Sequence, residues 1–302
     1  MSPIAASLLK PVQIHWASMA LFAAVSAGCG PSRDLATELA NATVDAQPVT
    51  TLEIGEPVSD ATFSPDGTTL VTCTFQFNDI AAWDVATGEQ RWTLRENDGS
   101  IYSAAFTADG TTFYAGLAHA YGGDEQFVKA YDPVAGAEVK VIGTHEGFVD
   151  FVALLPDGNL LSAGHDGMAN VWSVEDEPLQ IRKWRVFDSD SLADFALSAD
   201  GATLATMPAT DKGTFWDVKT GTKKVDLPDP KSGEWADGMV FLPDSGNLLV
   251  MTPLDDYEAE KTTYRFDEYD PDDGRRTTSW TLGNVDYGWS EFAVSPDGRL
   301  LA

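Results

Sequence analysis

Residues 149–173 read VDFVALLPDGNLLSAGHDGMANVWS. An apolar run (149–154) is followed, after one residue, by Pro156-Asp157-Gly158. A second apolar run (160–163) and a third ending on Trp172 come next. In the triplet Pro presets φ, Asp bonds its own backbone and Gly accepts the left-handed conformation, so two short strands are joined as a hairpin. Related turns recur at Pro65-Asp66-Gly67, Ala108-Asp109-Gly110, Ala199-Asp200-Gly201, Pro243-Asp244-Ser245-Gly246 and Pro296-Asp297-Gly298. Taken in order, the six aspartates stand 43, 48, 43, 44 and 53 residues apart. Such a period outranks any single motif, because a small repeated unit buries its apolar faces only by stacking on its neighbours.

Each unit reads as four strands. First strands are expected at 58–63, 101–106, 149–154, 192–197, 236–241 and 289–294. Second strands are expected at 69–73, 111–115, 160–163, 203–206 and 248–252. Third strands end at Trp83-Asp84, Tyr131-Asp132, Trp172-Ser173, Trp216-Asp217 and Tyr269-Asp270. Four residues after the Asp comes Gly88, Gly136, Gly221 or Gly274, the left-handed position of a hairpin into a fourth strand. The third unit has Glu177 there and is expected to turn differently.

These units resemble WD40 repeats, the four-stranded antiparallel blades of a β-propeller, across residues 51–302. The resemblance implies an all-β propeller with five complete units and a truncated sixth. The third unit is the fullest copy. His145, Ser162, Asp166 and Trp172 match the buried tetrad that ties strands together in the family. The other units lack the histidine and are expected to rely more on packing. In such rings an N-terminal strand completes the last blade, and residues 50–54 are placed to do so. Because the chain stops inside the second strand of the sixth unit, the domain over 50–302 reads as C-terminally incomplete.

Residues 1–28 read as a signal peptide. Lys10 is their only charged residue, and the apolar stretch from Trp16 to Ala27 is short of the ~20 residues that span a bilayer. Val25-Ser26-Ala27-Gly28-Cys29 resembles a bacterial lipobox, with Ser26 where the family has an aliphatic residue. That resemblance implies lipid attachment at Cys29. Cleavage near Ala27 or an uncleaved anchor are the alternatives. Residues 29–49 then form a tether. With Cys29 lipidated, Cys73 is a lone thiol and no internal disulfide is possible.

Lys+Arg number 19 against 47 Asp+Glu, a net charge of −28. Such a surface repels nucleic acid and anionic lipid, which leaves membrane attachment to the N-terminus. The acids are spread along the chain rather than blocked, which reads first as solubility; attraction of a basic partner or of divalent cations is the alternative, and the expected partner is a protein, basic in that alternative, or an envelope component. His145 with Ser162 and Asp166 imitates a catalytic triad in composition, but the tetrad accounts for all three, and geometry rather than residue type defines a triad. His165 reads as a solvated turn residue. His119 has no partner at a metal-ligand spacing, and no carboxylate cluster follows a calcium-loop pattern, so neither metal nor cofactor is expected.

From turn Asp to aromatic is 17, 22, 15, 16 and 25 residues, which places insertions near 117–126 and 253–263. In WD40 propellers such loops share a face with the entrances to the inner strands. Those entrances carry Asp60, Asp150, Asp194, Asp237 and Glu291; of these Asp60, Asp194 and Glu291, with Tyr121 and Tyr257 in the inserts, form the candidate partner face. The expected function is a non-catalytic interaction scaffold, exported to the periplasm or cell surface. The alternatives are an envelope-assembly lipoprotein and a quinoprotein-like oxidoreductase. The latter rests on residues 82–92, which resemble that family's Ala-x-Asp-x-x-Thr-Gly-x-x-x-Trp repeat. The Trp92 slot holds Lys140, Val225 and Thr278 in other units.

Overall fold

The computed structural model describes residues 12–14, 50–52, 54, 58–74, 79–96, 99–118, 125–188, 193–209, 212–228, 236, 238–256 and 261–286. Cys29, His119, Tyr121, Tyr257, Glu291, the whole tether and the sixth unit lie outside them. Five four-stranded antiparallel sheets follow one another as blades in a ring. Blade 1 is β3 (Val58–Phe63), β4 (Thr69–Thr74), β5 (Asp79–Asp84) and β6 (Gln90–Arg95). Blade 2 is β7 (Ser100–Phe106), β8 (Phe113–Ala118), β9 (Gln126–Asp132) and β10 (Ala137–His145). Blade 3 is β11 (Val149–Leu154), β12 (Leu160–Gly164), β13 (Met168–Ser173) and β14 (Leu179–Arg185). Blade 4 is β15 (Ala193–Leu197), β16 (Thr203–Pro208), β17 (Thr214–Asp217) and β18 (Thr222–Asp226). Blade 5 is β19 (Gly238–Phe241), β20 (Leu248–Asp256), β21 (Lys261–Tyr269) and β22 (Arg276–Asp286). First strands of successive blades touch one another, so they line the axis, and the fourth strands form the outer rim.

Both turn systems form as their sequences require. Gly67, Gly110, Gly158, Gly201 and Gly246 close the first turn at positive φ, and Gly88, Gly136, Gly221 and Gly274 close the second. The aspartates bond locally. Asp66 accepts from Ser64 Oγ at 2.6 Å and Thr68 N at 3.0 Å, while Asp84 accepts from Ala86 N and Thr87 N, both at 3.0 Å. At 175–177 the third unit forms a bend in place of the turn of the other units, as Glu177 in place of glycine implies.

Hydrogen bonding to Arg91, then to Thr87, holds the Asp84 carboxyl at about 2, and the Ser64 and Thr68 bonds lower that of Asp66. A carboxylate whose folded pKa lies below its unfolded value near ~3.9 stabilises the fold above that pH and loses the contribution as pH falls toward the folded pKa. Asp84→Asn keeps the acceptor and removes the titration. Its urea midpoint should therefore fall less steeply between pH ~4 and ~2 than that of the parent. Identical slopes would refute this.

Among the described residues no backbone ladder crosses between blades, and side chains hold neighbouring blades together. At the blade 1–2 interface Val71, Cys73 and Ile80 meet Ile101, Phe113 and Leu117. Phe113 stacks on Tyr131 with centroids 5.0 Å apart. Each large apolar side chain buried in this way contributes about 1.5–3 kcal/mol. The same seam holds an ionic cluster. Lys129 Nζ lies 3.0 Å from Glu96 Oε1 and 2.9 Å from Glu138 Oε2, and the Tyr131 hydroxyl donates to Glu96 Oε2. Burial, followed by Glu96 beside it, pushes the Tyr131 hydroxyl far up.

Two expectations are corrected by the structure. The insertion in blade 5 is strand at both ends. β20 and β21 run on, paired from Leu248↔Tyr269 to Asp256↔Lys261, with Thr262, Thr263, Tyr264 and Phe266 giving β21 β-branched and aromatic residues that suit a ladder. The second strand of blade 2 begins at Phe113, two residues later than expected. Residues 50–52 (β2) pair in parallel with Val12–Ile14 (β1), inside the segment expected to lie outside the fold, and Leu52 packs on Leu70, Ala81 and Trp83; the last unit, which residues 50–54 were expected to complete, lies outside the described residues.

Candidate interaction face

The antiparallel order places the Asp turns on one face of the ring. The entrances to the first strands, with the connections between second and third strands, lie on the other. Blade 3 shows how the entrance face is built. The His145 Nε2 is 2.8 Å from Ser162 Oγ, Trp172 Nε1 donates to the same oxygen at 2.8 Å, and His145 Nδ1 faces both Asp166 oxygens at 3.1 Å. All four tetrad residues therefore meet. Burial raises the Asp166 carboxyl, but its bonds to His145 and to the N–H groups of Met168 and Glu146 outweigh that and lower it. Ser162 is wholly buried and already accepts the indole proton, so it is closed to a substrate.

The other blades keep more of this device than packing alone. Trp83 Nε1 donates to Thr72 Oγ1 at 2.9 Å, and Trp216 Nε1 to Thr206 Oγ1 at 3.1 Å. The sequence signal was available: a Ser or Thr ten or eleven residues before the Trp. In blade 2 Ala115 stands in that register, and Tyr131 turns instead to Glu96 of the neighbouring blade.

Asp60 serves mainly as a latch. Its Oδ2 accepts from Ala104 N, on the next first strand, at 2.6 Å. One blade on, Ser103 Oγ accepts from Val152 N at 3.1 Å. In the third step Phe151 stacks on Phe195 at 5.9 Å. One register position thus joins each first strand to the next, with polar groups in two steps and aromatic rings in the third. Asp194 is half-buried at the same register in β15. Asp60 and Asp194 thus take the same register in blades 1 and 4.

At the entrances of blades 2 and 3, Asp150 is joined by residues that the sequence did not connect with it. His165 is not a solvated turn residue: its Nδ1 lies 2.6 Å from Asp150 Oδ2, with the side chains 17% and 12% exposed. Close backbone approach causes this. His165 N donates to Phe148 O at 2.9 Å, and a Cβ at Gly164 would sit 1.9 Å from that oxygen, so glycine is needed. Phe148 packs edge-on to His165 and stacks on Tyr102 at 6.0 Å. Burial raises the Asp150 carboxyl against the opposing pull of His165. Tyr102, Phe148, His165 and Asp150 make a half-buried aromatic and acidic patch at the entrances of blades 2 and 3.

The rim has its own latch. Trp92 Nε1 donates to Pro133 O at 2.7 Å, Lys140 Nζ to Val174 O at 2.9 Å and Arg182 Nη1 to Val218 O at 2.9 Å. Each acceptor is the residue just past the end of the next blade's third strand. Trp92 also covers Gly136, where a Cβ would come within 2.5 Å of its ring. The slot that looked specific to tryptophan is therefore filled by cations with the same geometry. Charge is segregated as well. Nine of the 19 Lys and Arg lie in the five fourth strands, which hold three of the 47 acidic residues.

Residues 46–78 and 136–173 match the family described as WD domain, G-beta repeat, and the second segment contains the whole tetrad. A chain in the crystal structure of a mitotic checkpoint complex shares the fold at 16% identity and a TM-score of 0.63, over 82% of this chain and 72% of that one. In all, 1545 solved chains match, so likeness at that identity speaks for the fold alone. No curated protein matches. The fold is a β-propeller, and over those two segments its repeats are similar to WD40 repeats.

Proposed function

We propose that this protein is a non-catalytic interaction scaffold of the bacterial cell envelope, exported and anchored through lipid on Cys29. The observation that carries the scaffold reading is the Tyr102–Phe148–His165–Asp150 patch, held on a ring whose blades are latched at axis and rim. An aromatic centre with a carboxylate suits a basic partner segment, since buried aromatic anchors dominate interface energies. The sealed Ser162 supports a role without catalysis, and the lipobox-like residues 25–29 support export.

In-cell cross-linking from position 102, followed by identification of the captured protein, tests this reading. Tyr102→Ala should weaken capture at least about tenfold, the loss expected of an interface anchor. Equal capture by the variant would refute the patch. The partner's identity also separates a role in outer-membrane assembly from other envelope roles. A second reading, a quinoprotein-like oxidoreductase, draws on Trp92 seated over Gly136. Quinone absorbance in the protein purified from its native envelope would establish it in place of the scaffold.

A further inference from the structure

In four blades the rim cations are matched by nearby acceptors. Arg91 and Arg95 pair with Asp84 and Asp79, Lys223 with Asp226, and Arg276 with Asp267. Lys140 is held by the Val174 carbonyl. β14 is the exception. It carries Arg182, Lys183 and Arg185 and no acidic residue. Arg182 is engaged in the rim latch. Lys183 and Arg185 are exposed, and among the described residues neither meets a carboxylate; Arg185 makes only a long bond of 3.5 Å to Phe187 O. On the same strand Leu179 is 67% and Ile181 49% exposed. Among the described residues β14 pairs with β13 alone, so its outward edge meets no described strand.

We propose that β14 is a docking edge for an extended acidic segment of a partner protein, added to blade 3 as a fifth strand. Its carboxylates would meet Lys183 and Arg185, its apolar residues Leu179 and Ile181, and its backbone the outward edge of β14. Charge selects this occupant. A net charge of −28 opposes approach to an anionic bilayer or another whole acidic surface, whereas a single strand touches only the cationic rim. Two copies joined through β14 would set cations against cations. The surface is separate from the entrance face, so the proposal adds to the scaffold reading without depending on the patch at Tyr102.

The test is fluorescence anisotropy of the full chain with a labelled peptide of about ten residues, a usual strand length, alternating Asp and Val. A peptide with Lys in place of Asp is the control. The acidic peptide should bind, weaken as salt rises, and lose at least about tenfold in affinity with K183E/R185E. K183Q/R185Q should fall between. Both variants should keep the parent melting temperature, because the two side chains are exposed. Tyr102→Ala should bind the peptide as the parent does. Equal binding of the two peptides, or unchanged affinity in the charge variants, overturns the proposal. So does a loss of peptide binding in Tyr102→Ala. Sedimentation with phosphatidylserine vesicles that K183E/R185E abolishes would reassign β14 to a lipid surface. A parent dimer that the variant lacks would reassign it to a second copy.

Discussion

Lys129→Met is expected to lower the unfolding free energy by about 3–5 kcal/mol, the cost of breaking a buried ion pair from one side. Lys129 is 2% exposed and Glu96 6%, so removing the ammonium leaves the Glu96 carboxylate buried beside the Tyr131 hydroxyl without the Lys129 charge. Glu138, at 42% exposure, can turn to water and adds little. The double variant Lys129→Met with Glu96→Leu should recover most of the loss, because replacing a whole buried pair by apolar groups is often neutral or better. Urea unfolding of the parent, both single variants and the double variant gives the coupling directly. A loss below about 1 kcal/mol for Lys129→Met, or no recovery in the double variant, would show that the cluster does not hold blades 1 and 2 together.

His145→Ala is the second large effect, at about 3 kcal/mol. Two costs combine: the Ser162 hydroxyl and the Asp166 carboxylate lose their common partner, and a buried ring leaves a void. Thr72→Val in blade 1 breaks only the Trp83 bond and should cost nearer 1 kcal/mol, because the side-chain volume is kept. That order, His145 above Thr72, is the sharper expectation. Asp166 also accepts from the N–H groups of Glu146 and Met168, so hydrogen exchange in His145→Ala should quicken across 145–150 and 165–168. Those segments carry Phe148, His165 and Asp150, and binding at the entrance face should weaken with them. Exchange confined to residues outside 145–168 would break the proposed link between tetrad and face.

What could be read in the chain beforehand shares one physical property: short range. The Asp turns are closed by bonds within a few residues and by glycines whose φ the turn dictates, so Asp66-Gly67 and Asp84 through Gly88 announced their structure. Period and turn chemistry together implied four-stranded blades, and blade 3 could be assigned its tetrad by resemblance. Strand ends were less legible. In blade 5 a run that read as an inserted loop continues as paired strand to Asp256 and Lys261, because local alternation does not say where a ladder stops.

Long-range partners could not be read at all. Asp60 bonds a backbone N–H 44 residues away and Lys129 a carboxylate 33 residues away, and neither spacing leaves a mark in composition. His165 was misjudged for the same reason, since its burial depends on Gly164 letting two backbones close on each other.

By itself, then, the sequence determined the blade, its turns and a strongly acidic balance. Only the tertiary structure decided how that balance is laid out. Stacking brings every fourth strand to the rim and every first strand to the axis, and cations scattered along the chain become one outer belt around an acidic ring. Charge sums along a chain regardless of order, but its field acts from where folding places it.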